Sequence, residues 1–125
     1  MSYETVETIS INDVIEKFDI STNPLIIKLD IEGAEVDTLK GAPDLFDRDL
    51  VCIYEDHGND SECTVSQYLM NRGLAIFYVD DSKNVRQIFD WQEIRGLKTQ
   101  RSRGYNFLAT SYNSQFFKHL SKLTK

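Results

Sequence analysis

Two short runs of apolar residues organise the pattern along the chain. Leu25 to Asp30 and Leu50 to Tyr54 are nearly continuous and rich in β-branched side chains. Runs of this kind predict strands buried on both faces, as in a parallel sheet. Gly33 breaks the first strand, a helix follows from about Ala34 to Lys40, and Gly41 suits the position just past its end. Upstream, Ser10 is placed to cap a helix running to about Phe18. Asp13 falls at its third position, Ile9 and Val14 are spaced as a hydrophobic staple, and Asn23-Pro24 marks a turn. Thr64 with Gln67 has the spacing of a second capping box, for a helix that reaches Arg72 and closes at Gly73.

The second part of the pattern is different. Leu74 to Val79 and Val85 to Phe89 flank the polar run Asp80-Asp81-Ser82-Lys83-Asn84, which predicts a hairpin. Asp90 and Glu93 predict a short capped helix to about Gly96. Tyr105 to Thr110 reads as a last strand, and Phe116, Phe117, Leu120 and Leu123 recur at helical spacing. Strands alternating with helices predict an α/β fold with a mostly parallel sheet and an antiparallel last strand.

Ligands of open α/β sheets collect outside the carboxyl ends of the strands. Asp30 ends one predicted parallel strand and Glu55-Asp56-His57 ends the next. If the two are neighbours, about 5 Å apart, three carboxylates and an imidazole share one rim. One reading is a divalent-metal or acid-base site built from Asp30, Glu55, Asp56 and His57. The other is that acidic residues complement helix N-termini, which suits Glu32 and Glu35 best. Lys28 reads as one half of an ion pair with a carboxylate on a neighbouring strand, or as a substrate contact. Lys98, Arg101 and Arg103 read as a solvated basic loop, with gating of the site or holding of an anionic substrate as the alternative.

Composition narrows the partners. The chain has 125 residues and a net charge of -6. That length suits one domain, and an acidic surface disfavours nucleic acid and anionic lipid as partners. No apolar run is long enough to span a bilayer. The polar, acidic start lacks the features of a signal peptide, so the expected address is the cytoplasm. Cys52 and Cys63 form neither a disulfide framework nor a zinc spacing, and Cys52 is expected to be a small buried hydrophobe.

Several segments arrive in an order that resembles the FkbM family of methyltransferases. They are Val6 to Asp13, then Ile27-Lys28-Leu29-Asp30-Ile31-Glu32-Gly33-Ala34-Glu35 with Leu39-Lys40-Gly41-Ala42, then Ile53 to Gly58, and finally Asn106 to Thr110. The stretch Lys28 to Glu35 followed by Leu39 to Ala42 is the most specific of them. Where the family has Leu-Asp-Asp near its first helix, this chain has Ile11-Asn12-Asp13, a change that touches capping more than chemistry.

The resemblance implies the C-terminal half of a Rossmann-like class I methyltransferase fold. It also implies S-adenosylmethionine as cofactor, with contacts from Asp30 and Ile31, and O-methyl transfer to a saccharide or similar hydroxyl. Asp30, Glu55 and His57 would then be the catalytic set. A metal such as Mg or Mn on Asp30, Glu55 and Asp56 is a further analogy with related folds. The family's Gly-rich turn is missing from the sequence, since the six glycines never form a G-x-G pair. The chain thus reads as a partial domain lacking the cofactor-binding first half, either a truncated or split enzyme or an inactive binding or dimerisation module. Without that half, the strand at 25–30 would be an exposed edge, which sheets avoid. A homodimer, a partner chain or the segment Tyr3 to Thr8 is expected to cover it.

Overall fold

A computed structural model of the chain describes residues 9–18, 24–31 and 33–124. The elements follow the order α1 (Ile11–Lys17), β1 (Leu25–Leu29), α2 (Glu35–Lys40), β2 (Leu50–His57), α3 (Thr64–Asn71), β3 (Ala75–Val79), β4 (Val85–Ile88), α4 (Trp91–Leu97), β5 (Gly104–Thr110) and α5 (Gln115–Leu123), with a 3-10 turn at Leu45–Asp47. Ser10 caps α1 by accepting from the Asp13 amide at 3.1 Å, and Asp90 with Glu93 forms the capping box of α4. In the β3–β4 hairpin, Asp80 accepts from the Ser82 and Asn84 amides, both at 2.9 Å. The Asn23-Pro24 turn, Glu32 and Tyr3 to Thr8 fall wholly or partly outside the described residues.

The five strands lie in the order β1-β2-β5-β3-β4. This corrects the expectation of a mostly parallel sheet. Among the strands of the described residues, only β1 and β2 pair in parallel; β5 runs antiparallel between β2 and β3, and β4 is antiparallel to β3. Alternation of strands and helices sets the direction of β1, β2 and β3, but the insertion of β5 depends on long-range register that local pattern does not carry.

One face of the sheet makes the main core. Tyr54, Phe107 and Tyr78 stack there, with Tyr54–Phe107 centroids 5.6 Å and Tyr78–Phe107 centroids 5.3 Å apart. Leu39 of α2, Leu69 of α3 and Ile94 of α4 are at most 1 % exposed and close this face, as their apolar stripes require. On the other face, Phe117 of α5 packs against Phe77 at 6.0 Å. Asp49 anchors the start of α5 by accepting from Ser114 and from the amide and side chain of Gln115.

The far side of β1 has no such cover among the described residues. Ile26 is 62 % exposed, and Lys28 is exposed and makes no ion pair among the described residues. The expectation that this strand is buried on both faces therefore fails, as does the expected strand-to-strand pair of Lys28. β1 lies at a sheet edge, and among the described residues its second face stands open, a situation that local sequence does not separate from full burial.

Candidate functional site

The site begins with a register. Leu29 pairs with Tyr54 across the parallel β1–β2 ladder, so Asp30 leaves β1 at the level where Glu55 stands on β2. Gly33 takes φ +83°, the left-handed turn that lets the chain reverse from β1 into α2. Between this turn, α2 and the end of β2 lies a cleft of about 560 Å³ lined by Asp30, Glu35, Glu55, Asp56, His57 and Asp60 among others. The four rim residues expected from sequence thus reach one cleft. Ile31 does not line it and is 42 % exposed.

These residues are in very different states. Side chains alternate along a strand, so Asp56 continues the inward series of Leu50, Cys52 and Tyr54 whereas Glu55 and His57 point the other way. Asp56 is 1 % exposed. Its Oδ2 accepts from Ser66 Oγ at 2.6 Å and from the Ser66 amide at 3.3 Å. Lys98 Nζ donates to its Oδ1 and also, at 2.7 Å, to the Asp60 carbonyl. Ser66 has one hydroxyl proton, which the carboxylate takes, so Tyr54 is the donor in its 2.8 Å contact with Ser66 Oγ. Burial pushes the Tyr54 phenol well up, which keeps it protonated for that role.

His57 is oriented by its neighbour. Its Nδ1 accepts from the Asn59 amide at 3.2 Å. In the neutral ring the proton then sits on Nε2, which makes His57 a hydrogen-bond donor toward solvent or ligand. To act as a base it would have to give up the Asn59 contact.

Asp60 sets the entry to α3. Its Oδ1 accepts from the Glu62 amide at 3.1 Å and its Oδ2 from the Thr64 amide at 2.9 Å. The expected box of Thr64 and Gln67 is corrected accordingly: Cys63, at φ +50°, is the N-cap residue and gives no side-chain bond, because Asp60 already occupies the free amide. Burial works to raise the Asp60 carboxyl, but the Thr64 and Glu62 contacts and the nearby Lys98 charge hold it below the usual range.

Two glycines let loop 98–103 close over the end of β2. The Gly58 amide donates to the Arg103 carbonyl at 2.7 Å. A Cβ on Gly58 would lie 2.0 Å from the Gln100 carbonyl oxygen, and one on Gly104 would lie 2.0 Å from the Glu55 carboxyl carbon. Glu55 therefore rests directly on the Gly104 backbone. The reading of the basic loop as solvated or substrate-facing fails for Lys98, whose side chain is 3 % exposed. Arg103 pairs with Asp81 and stacks 4.8 Å over the Tyr105 ring.

The family model described as "Methyltransferase FkbM domain" matches residues 1–107. The chain belongs to the FkbM methyltransferase family. Neither the curated proteins nor the solved structures gave a match. In this FkbM chain, the most specific motif contributes Asp30, Gly33 and Glu35 to the lining of the cleft.

A divalent metal does not fit the FkbM rim. Among the described residues no three His, Cys, Asp or Glu side chains come together as a metal-holding group. The expected set of Asp30, Glu55 and Asp56 is corrected for two physical reasons. Glu55 and Asp56 point to opposite faces of β2, and both oxygens of Asp56 already serve Ser66 and Lys98. The sequence pattern passed over Ser66 and put Lys98 in a solvated or substrate-facing loop rather than opposite Asp56. The signal for them was Asp56 itself, an acid at an inward position of an apolar strand, which requires a buried partner. Its spacing from Lys98 along the chain gave no local clue.

Among the described residues, no helix is long and apolar enough to cross a membrane.

Proposed function

We propose that this FkbM chain forms the acceptor side of an O-methyltransferase that uses S-adenosylmethionine. The family match over residues 1–107 carries this reading. The sheet then corresponds to the second half of a Rossmann-like fold, with β1 and β2 as the strands whose ends meet the reacting groups. The cofactor supplies an electrophilic methyl group on a positive sulfur. A cleft rich in carboxylates suits that charge, whereas the adenosine end calls for a Gly-rich turn that these 125 residues do not contain. On this reading, binding by the chain alone is weaker than about millimolar.

The chain's own residues have three tasks. A saccharide hydroxyl is a poor nucleophile while protonated, so a base must accept its proton as the oxygen attacks. Asp30, exposed at the cleft mouth, and Glu55, held on Gly104, are the carboxylates placed for this. His57, donating through Nε2, orients the acceptor. Together they hold the hydroxyl for an in-line attack. On this reading the protein works in the cytoplasm.

Support for a partner comes from β1, an edge strand with Ile26 62 % exposed. A second copy or a partner chain covers this edge. Light scattering is expected to give a dimer or larger; a monomer would contradict the second copy and leave a partner chain or the segment Tyr3 to Thr8 as the cover. One observation favours a second reading, an inactive binding module: His57 Nδ1 and both Asp56 oxygens are already occupied within the chain.

Label transfer from methyl-labelled S-adenosylmethionine to saccharide hydroxyls, on the polypeptide as its gene encodes it, separates the two. Label on oxygen supports the enzyme. Its absence, with saccharide binding retained, supports the module.

A further inference from the structure

The outer edge of β1 carries a charge pattern that fits its own image. The Leu25 amide donates to the Asp49 carbonyl at 2.9 Å, on the side where β1 meets β2. Backbone groups alternate in direction along a strand, so those of Leu25, Ile27 and Leu29 face β2. Those of Ile26 and Lys28 face outward, with Asp30 next in the series. Among the described residues no strand lies on that side, and an edge of this kind takes up another strand.

The side chains decide which strand fits. Lys28 and Asp30 are two residues apart and share one face of β1, where both border a shallow hollow with Ile53, Glu55 and Asn106. Both are exposed, and neither makes an ion pair among the described residues. A second copy of β1 can pair antiparallel about a two-fold axis at Ile26, Ile27, Lys28 or Leu29. With the axis at Ile26, Lys28 meets the partner's Pro24, which has no N–H to give. At Ile27 it meets the partner's Ile26, an ammonium against an apolar side chain. At Lys28 two like charges stand face to face, which destabilises a cross-strand pair. At Leu29, Lys28 stands opposite the partner's Asp30, and the symmetry makes that ion pair twice. Each copy carries a net charge of -6, so a seam of matched opposite charges is what lets two copies meet here.

We propose that β1 binds β1 of a second copy of this chain, antiparallel about Leu29, with Lys28 of each copy against the partner's Asp30. The two sheets join into one, and the partner's Lys28 stands beside Asp30 at the mouth of the cleft, so the second copy contributes a cation to the site. This pairing rests on the reading that a second copy, rather than another chain, covers the edge. An exposed ion pair of this kind fixes register more than it adds affinity.

Disulfide trapping with Lys28→Cys and Asp30→Cys tests the register, in a chain whose own Cys52 and Cys63 are buried. Opposed residues of a hydrogen-bonded antiparallel pair have Cα atoms about 5.5 Å apart, a span that a disulfide bridges. Under mild oxidation a mixture of the two variants is expected to give covalent dimers. Either variant alone is not, because its two cysteines lie a diagonal apart, beyond the reach of about 7 Å. Trapping in Lys28→Cys alone, or none in the mixture, would overturn the proposal. Light scattering on the unaltered chain separates the two readings. A dimer that is not trapped in the mixture leaves the second copy standing on another surface, whereas a monomer overturns both. Charge reversal checks the seam without cysteine: Lys28→Glu is expected to weaken the dimer about tenfold, and Lys28→Glu/Asp30→Lys to restore it. Undiminished dimerisation of Lys28→Glu would also overturn the proposal.

Discussion

Replacing Lys98 by Met removes the cation from the buried pair while keeping the length of the side chain. Lys98 and Asp56 are 3 % and 1 % exposed, so water does not take the lysine's place without local opening. Removing one partner of a buried pair typically costs about 3–5 kcal/mol, because the other charge is left unpaired. Asp56 would keep both bonds from Ser66, which puts the expected loss at the lower end, about 3 kcal/mol. For a domain of this size that is a fall in Tm on the order of 10 °C. Urea denaturation followed by the single Trp, Trp91 in α4, reads the loss. Far-UV circular dichroism on the same samples checks that one transition is being measured. The double variant Asp56→Asn/Lys98→Met should lose less than Lys98→Met alone, since it leaves no orphaned charge. A Lys98→Met protein within about 0.5 kcal/mol of wild type would refute the reasoning.

Three further expectations concern the rim. Gly58→Ala sets a Cβ against the Gln100 carbonyl oxygen, 2.0 Å away and part of the backbone; the loop must move, at a cost of about 1–3 kcal/mol in urea denaturation, and a cost near zero would mean that the loop does not close on β2. For neutral His57, nitrogen-15 NMR should find the proton on Nε2 and an unprotonated Nδ1, and the reverse tautomer would remove the Asn59 contact from the account. Asp49, Asp60 and Asp80 all have carboxyls held below the ordinary 3.8. Their contribution to stability is full above that value and is lost as pH falls through the lower folded-state values. The urea midpoint should fall in that acid range, and Asp60→Asn should lessen the fall; an unchanged acid limb in that variant would contradict the assignment.

Legibility followed the range of the forces involved, with the Thr64–Gln67 box, displaced by Asp60, as the local exception. The α1 cap at Ser10, the box of Asp90 and Glu93, and the Asp80 turn all close within a few residues, and the sequence pattern located each. The convergence of Asp30 with Glu55 and His57 was also readable, because parallel neighbours with matching ends leave few alternatives. What the pattern concealed was non-local. The last strand is antiparallel as expected, but its insertion between β2 and β3 depends on pairing Glu55 with Asn106 on one side and Tyr78 with Phe107 on the other. The pairing of Asp56 with Lys98 spans 42 residues. Glu35 was read as a helix-terminal acid because its position in the first turn is visible in sequence, and the structure places it there.

Methyl transfer by the Asp30→Ala variant of the polypeptide as its gene encodes it, compared with the same polypeptide unaltered, tests most directly whether this cleft is where the chemistry occurs. Asp30 is exposed and has no structural bond among the described residues, so the fold should tolerate its loss with an unchanged urea midpoint. Losing the base at the cleft mouth should lower the rate of label transfer from S-adenosylmethionine by about a hundredfold or more. An Asp30→Ala protein that transfers methyl groups at the wild-type rate would contradict the account.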